Sequence, residues 1–157
     1  VVVKKAELEM LRMMIEAPRV GVREWARRLG IARGTAQARV KRLEDAGVIR
    51  SYRPVLSNVA LGMPVLAYVR VNVSQDRLED TFTDLEQIPE LIELNSVAGD
   101  VDLVCRVVAR DLEHLEALLQ RIIRTKGVRQ TRSEIVLRRR FGTRVGPLVD
   151  SLIAEAD

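Results

Sequence analysis

Apolar residues recur along this 157-residue chain with two different periods, and the change between them divides it. Through the first third the period is helical. Leu8, Leu11, Met14 and Ile15 make one stripe over Ala6 to Ala17, and Pro18 stops it. Val22, Trp25, Ala26 and Leu29 then fall at i, i+3, i+4 and i+7. Gly30 breaks this second helix, because glycine accepts the backbone conformation of a tight turn. Ala36, Val40 and Leu43 form the inward face of a third helix, closed by Gly47. The small Ala26 lets the second and third helices cross closely, with the first packed behind them. Trp25, the only tryptophan, is expected to be the core residue of this small unit. Two short helices with a glycine turn, the second one basic, predict a DNA-binding helix-turn-helix.

Val48 to Arg53 reads as a short strand. Pro54, Ser57-Asn58 and Gly62-Met63-Pro64 are turn signals, which makes 54–64 a linker. Beyond it the period becomes two. Val65, Ala67, Val69, Val71 and Val73 alternate with Leu66, Tyr68, Arg70 and Asn72 in a predicted strand. A helix follows over Asp76 to Gln87, buried through Leu78, Phe82 and Leu85. Strands are predicted over Glu90 to Val97 and Val101 to Ala109, with Ala98-Gly99-Asp100 as the turn between them. Asp111 starts another helix, striped with Leu112, Leu115, Leu118, Leu119, Ile122 and Ile123 and ended by Gly127. Val128 to Leu137 is the last strand. The order β-α-β-β-α-β is the ferredoxin-like split pattern, with both helices on one face of an antiparallel sheet. The class is α+β, and the expected division is 1–53 for the helix-turn-helix, 54–64 for the linker, 65–140 for the ferredoxin-like domain and 141–157 for a tail. Pro147, Leu148, Leu152 and Ile153 make that tail a short amphipathic helix, preceded by the run Arg138-Arg139-Arg140.

The third strand is apolar on both faces, with Leu103, Cys105 and Val107 on one and Val104 and Val108 on the other. Such a strand is buried on both sides. One chain's helices cover only one side, so the same sheet of a second copy is the expected cover, giving a two-fold dimer or a multiple of dimers.

Charge sharpens the division. Residues 1–54 carry 13 Lys/Arg against 6 Asp/Glu, and residues 55–157 carry 13 against 16. The positive excess sits on the half with the helix-turn-helix, as phosphate neutralisation requires. No apolar run approaches the roughly 20 residues of a membrane span, and no membrane partner is expected. The opening Val1-Val2-Val3-Lys4-Lys5 lacks the charge-before-apolar order of a signal peptide. A single Cys105 forms no internal disulfide, which points to the cytoplasm. The chain has no Cys/His cluster for a metal, no Gly-rich phosphate loop and no nucleophile–base pair, so no cofactor, metal or catalytic residue is expected.

The N-terminal side chains of a helix in the major groove reach base edges. Arg33, Thr35 and Gln37 are the base-reading candidates, since Arg pairs two acceptors of guanine and Gln pairs adenine. Arg39, Lys41 and Arg42 lie further along, as phosphate contacts, and Arg23, Arg27 and Arg28 on the preceding helix serve the same role. The partner is double-stranded DNA, and a dimer presents two such helices to a pseudo-palindromic site.

Three motifs then stand in order: Arg42-Leu-Glu-Asp-Ala-Gly-Val-Ile-Arg50 with Tyr52, Val55-Leu56 and Ala60-Leu-Gly62 beyond it; Gly99-Asp-Val-Asp-Leu103; and Gly127-Val-x-x-Thr131-x-Ser133-x-x-Val136-Leu137. Together they resemble the Lrp/AsnC (feast/famine) transcription regulators over most of residues 8–137. The resemblance implies a ligand-binding domain of the RAM type, an assembly of dimers such as an octamer, and a small-molecule effector, an amino acid or similar metabolite, bound near the contact between dimers. Gly99, Asp100, Asp102, Thr131 and Ser133 are the effector candidates: a backbone open to a carboxylate, two acceptors for an ammonium group, and two hydroxyls. The competing reading of both aspartates is a hairpin turn. Two departures stand out. Lys4-Lys-Ala-Glu-Leu8 replaces the family's Asp-rich opening, and Ala32 replaces its Ser/Thr cap at the recognition helix.

Two other functions fit the chain less well. One is an architectural, nucleoid-type DNA binder without an effector. The other is an enzyme like the sirohaem decarboxylases of this architecture, which use histidines around a tetrapyrrole. Here the only histidine is His114, read as a surface residue of a helix.

Overall fold

A computed structural model describes residues 3–156. The elements run α1 (Lys5–Glu16), α2 (Gly21–Arg28), α3 (Arg33–Asp45), β1 (Val65–Val73), α4 (Leu78–Glu86), β2 (Leu91–Ser96), β3 (Leu103–Ala109), α5 (Leu112–Ile123), β4 (Val128–Ile135) and α6 (Gly146–Glu155). A 3₁₀ turn, Gln75–Arg77, leads into α4. They form two compact units, one of residues 1–54 with 140–157, the other of residues 55–139.

In the first unit α1, α2 and α3 enclose Met10, Met14, Trp25, Ala26, Ala36, Val40 and Leu43. Trp25 is 5% exposed, and its indole N–H donates to the Ala17 carbonyl at 2.9 Å, which fixes the chain between α1 and α2. The α2–α3 turn rests on Gly30, whose φ of +64° suits glycine, and the Ile31 N–H reaches back to Ala26 O at 3.0 Å. Ala32, with no side-chain acceptor, leaves the first turn of α3 uncapped.

Two expectations are corrected here. The α1 stripe does not all face the helix-turn-helix core. Met10 is fully buried there, whereas Ile15 is 43% exposed. Leu8, Leu11 and Ile15 line an apolar cleft of about 840 Å³ shared with Leu148 and Leu152 of α6, and Leu11 also packs on the helix-turn-helix core. The tail helix is therefore part of the first unit, tied to α1 by an Arg12–Asp150 ion pair of 2.6 Å. Residues 48–53 form no strand. Val48 and Ile49 pack on the helical core, and no neighbouring strand offers hydrogen bonds to the segment.

In the second unit the sheet order is β2-β3-β1-β4, antiparallel throughout. The helix-covered face buries Val69, Val71, Leu103, Cys105, Val107, Leu85, Leu118 and Ile122. Burial in this apolar core raises the Cys105 thiol to about 11, so it stays protonated and unreactive. Asp111 caps α5 by accepting from the His114 N–H at 2.7 Å. The other face differs from the expected apolar surface. Leu66 and Val108 are buried, but Tyr68 is half exposed and charged pairs cross the sheet: Arg70–Glu134 at 3.1 Å and Arg106–Glu93 at 3.2 Å. Strand parity explains this, because Arg70 and Arg106 alternate with the apolar residues of their own strands.

Candidate DNA-reading face and effector cavity

Exposed along α3 are Arg33, Thr35, Gln37, Lys41 and Arg42, with Arg39 half-buried. Arg33 and Gln37 lie one turn apart on the same ridge. Neither they nor Thr35 has a hydrogen-bond partner among the described residues. Those three side chains point to solvent from the first turns of the helix.

Most of the other basic candidates are held by the protein itself. Arg42 donates to Glu7 of α1 at 2.8 Å, and Glu7 is nearly buried. The same carboxylate accepts from the Lys4 N–H at 2.8 Å, so one side chain starts α1 and binds α3 to it. Arg39 reaches the Ala6 carbonyl at 3.3 Å. Lys41 pairs with Asp45 at 2.9 Å, which raises its pKa. On α2, Glu24 accepts from Arg27 at 2.6 Å and from Arg28 at 2.8 Å. Those bonds, Arg27's first, hold the Glu24 carboxyl down to about 2. Arg23 is exposed and has no partner among the described residues. The phosphate candidates thus differ: Arg23 is free, whereas the other five are engaged. The Glu24 and Asp45 pairs follow i, i+3 and i, i+4 spacing and were readable in the sequence, whereas the long-range partners of Arg42 and Arg39, Glu7 and the Ala6 carbonyl, left no sign there.

The effector candidates do not come together. Asp102 is held locally: its carboxylate accepts from the Val73 N–H at 2.8 Å and from Gln75 at 3.1 Å, joining the β2–β3 turn to the end of β1. Thr131 and Ser133 stand opposite Val71 and Val69, and so on the helix-covered side of the sheet. Asp100 lies elsewhere, in a cavity of about 100 Å³ with Arg70, Asn72, Val101, Gln130 and Arg132. Its carbonyl accepts from Asn72 at 3.0 Å, and Gly99 beside it has φ +146°. Arg70, Asn72, Gln130 and Arg132 were missed in the sequence. Their signal was the polar half of the β1 and β4 alternation, which brings Arg70 opposite Arg132 and Asn72 opposite Gln130.

His114 is not a surface residue. Its side chain is 14% exposed, its Nδ1 accepts from the Arg110 N–H at 3.2 Å, and its Nε2 lies 3.5 Å from Glu90. Those contacts tie the start of α5 to the segment before β2.

Residues 66–145 match the profile of the Lrp/AsnC ligand binding domain, more than half of the chain, and residues 4–50 match a winged helix-turn-helix DNA-binding profile. The chain belongs to the Lrp/AsnC family. An HTH-type transcriptional regulator of Methanocaldococcus jannaschii is 31% identical over 135 residues, covering 85% of this chain and 91% of that protein. The proline dehydrogenase transcriptional activator of Rhizobium radiobacter is 30% identical over 135 residues, 83% of this chain and 86% of its own. Among solved structures, the feast or famine regulatory protein of M. tuberculosis complexed with L-methionine is 34% identical and superposes with a TM-score of 0.79, covering 87% of this chain and 92% of that one. This Lrp/AsnC protein therefore carries the family's two parts, a helix-turn-helix DNA-binding unit and a ligand-binding domain, and is a transcriptional regulator. Among the described residues no helix is long and apolar enough to cross a membrane.

Proposed function

We propose that this Lrp/AsnC regulator reads DNA sequence through Arg33, Thr35 and Gln37, and that an amino acid bound on its sheet biases its assembly or its hold on DNA. The observation that carries the reading is the freedom of those three side chains on the first turns of α3, beside basic residues tied down elsewhere. Base edges are read by side chains with donors and acceptors to spare. The protein works without catalysis, in the cytoplasm with its DNA.

Arg33→Ala is expected to lose preference for the operator over random DNA by about 1–3 kcal/mol. Arg23→Ala, at the phosphate candidate without a partner among the described residues, is expected to weaken binding to all sequences alike. Competition binding on genomic fragments recovered with the protein checks both, and equal losses on specific and random DNA for both variants would refute the division of roles.

Glu24→Gln gives the opposite sign. It releases Arg27 and Arg28 from their own carboxylate, so affinity for random DNA rises. The salt slope steepens by up to about 2 if both guanidinium groups then reach phosphates. An unchanged slope would remove Arg27 and Arg28 from the interface.

The effector reading moves to the cavity of Asp100, Arg70 and Arg132. Two guanidinium groups suit an α-carboxylate, and Asp100 suits an α-ammonium group. At about 100 Å³ this cavity is below the roughly 300 Å³ of an ordinary ligand pocket. A second copy completes it, consistent with an assembly of dimers. Isothermal titration with a panel of amino acids tests this: heat that disappears in Arg132→Ala supports the site, and absence of heat with every amino acid overturns it.

A further inference from the structure

Between β4 and α6 the chain runs from Val136 to Val145 without regular structure. Four residues of this strap are arginine: Arg138, Arg139, Arg140 and Arg144. All four are exposed. Arg138, Arg139 and Arg140 make no hydrogen bond or ion pair among the described residues. Arg144 stacks on the ring of Phe141, 4.6 Å from its centroid, and that ring is itself 69% exposed. No acidic residue lies between Glu134 and Asp150 to balance the run.

The strap is also fixed at one end to the DNA-reading unit. Val149 of α6 is buried, Asp150 pairs with Arg12 of α1, and α6 faces Leu8, Leu11 and Ile15. That same unit forms no strand after α3, so it has no wing among the described residues to hold the DNA backbone beside the recognition helix. Unpaired like charges in a short stretch repel one another, and a polyanion removes that cost. The planar guanidinium fork matches phosphate with two hydrogen bonds, and an exposed aromatic ring with a stacked arginine adds a face for the sugar–phosphate edge.

We propose that the strap from Arg138 to Arg144 is a second DNA contact, which grips backbone phosphates in addition to the contacts made by α3. It adds affinity without sequence preference, as arginines on phosphates do. This rests on the reading of α3 as the recognition helix, and the two are separable by experiment.

The test uses the full chain and mixed-sequence double-stranded DNA, with affinity measured across a salt series. Each phosphate contact contributes about 0.9 to the slope of log affinity against log salt. Replacing all four arginines with Ala is expected to flatten that slope by about 3 to 4 and to weaken binding more than tenfold in moderate salt. Replacing all four with Lys keeps the charge and is expected to keep the slope. An alanine variant with the wild-type slope overturns the proposal. So does a lysine variant that flattens it as much as alanine, because the role would then be structural. Failure of the α3 reading shows separately, as Arg33→Ala with undiminished operator preference.

Discussion

Trp25→Ala is expected to unfold the DNA-reading unit and leave the ligand-binding unit folded. Truncating a buried Trp costs about 3–5 kcal/mol. A core this small supplies little more than that in total. The indole is 5% exposed, packs with Met10, Met14, Val40 and Leu43, and holds the Ala17 carbonyl through its N–H. The substitution removes a large apolar volume and the hydrogen bond to the Ala17 carbonyl at once. The second unit has its own core of Val69, Val71, Leu103 and Ile122, which shares no residue with the first. Calorimetry should show the first unit's transition lost or moved far down and the second unit's retained, with DNA binding gone. Equal shifts of both transitions would mean that the two cores fold as one.

Gly127→Ala is expected to damage the other unit by about 2–5 kcal/mol, from two sources. Gly127 has φ +94°, a conformation that L side chains adopt only under strain. A Cβ there would also collide with Thr81 Oγ1 and come within 3.2 Å of Arg77 Cβ. Thr81 cannot easily yield. It is fully buried, and its hydroxyl lies 2.8 Å from Arg77 O and 2.9 Å from Lys126 O, joining the start of α4 to the turn before β4. The Gly127 carbonyl meanwhile accepts the Ser74 N–H at 2.8 Å, so the turn is pinned on both sides. Adding Thr81→Ala to Gly127→Ala removes the collision but not the backbone strain. The double variant is therefore expected to be less destabilised than the sum of the two single ones, in denaturant melts. Strict additivity would leave backbone strain as the whole effect.

Much of this fold was legible in the sequence because its elements carry clean periods. The β1 alternation and the α5 stripe each bury one set of residues on one core, and a period is then enough. α1 is harder, since Glu7, Met10 and Met14 face the helix-turn-helix, Leu8 and Ile15 face α6, and Leu11 touches both. A period reports that a helix has an apolar surface, not which of two partners each residue meets. Residues 48–53 have the apolar and aromatic content of a strand, but a strand also needs a neighbour, and Val48 and Ile49 find helices instead.

The site was legible by element and not by side chain. Exposure of Arg33, Thr35 and Gln37 follows from helical geometry. The engagement of Arg42 by Glu7, 35 positions apart, follows from packing alone. Thr131 and Ser133 carry suitable hydroxyls, yet sheet register turns them towards the helices. Register is set by pairing with a distant strand, and a shift of one residue exchanges the faces.

The return of α6 to α1 has a consequence for the order in which the protein is made. Residues 1–54 leave the ribosome first, but the helix that covers Leu8, Leu11 and Ile15 comes from residues 146–155. At typical synthesis rates that helix arrives roughly 5–20 s later. Until then the apolar side of α1 is open, and a chain cut short after β4 would carry a finished sensor on an unfinished reader. Only a chain translated through α6 closes the DNA-reading unit.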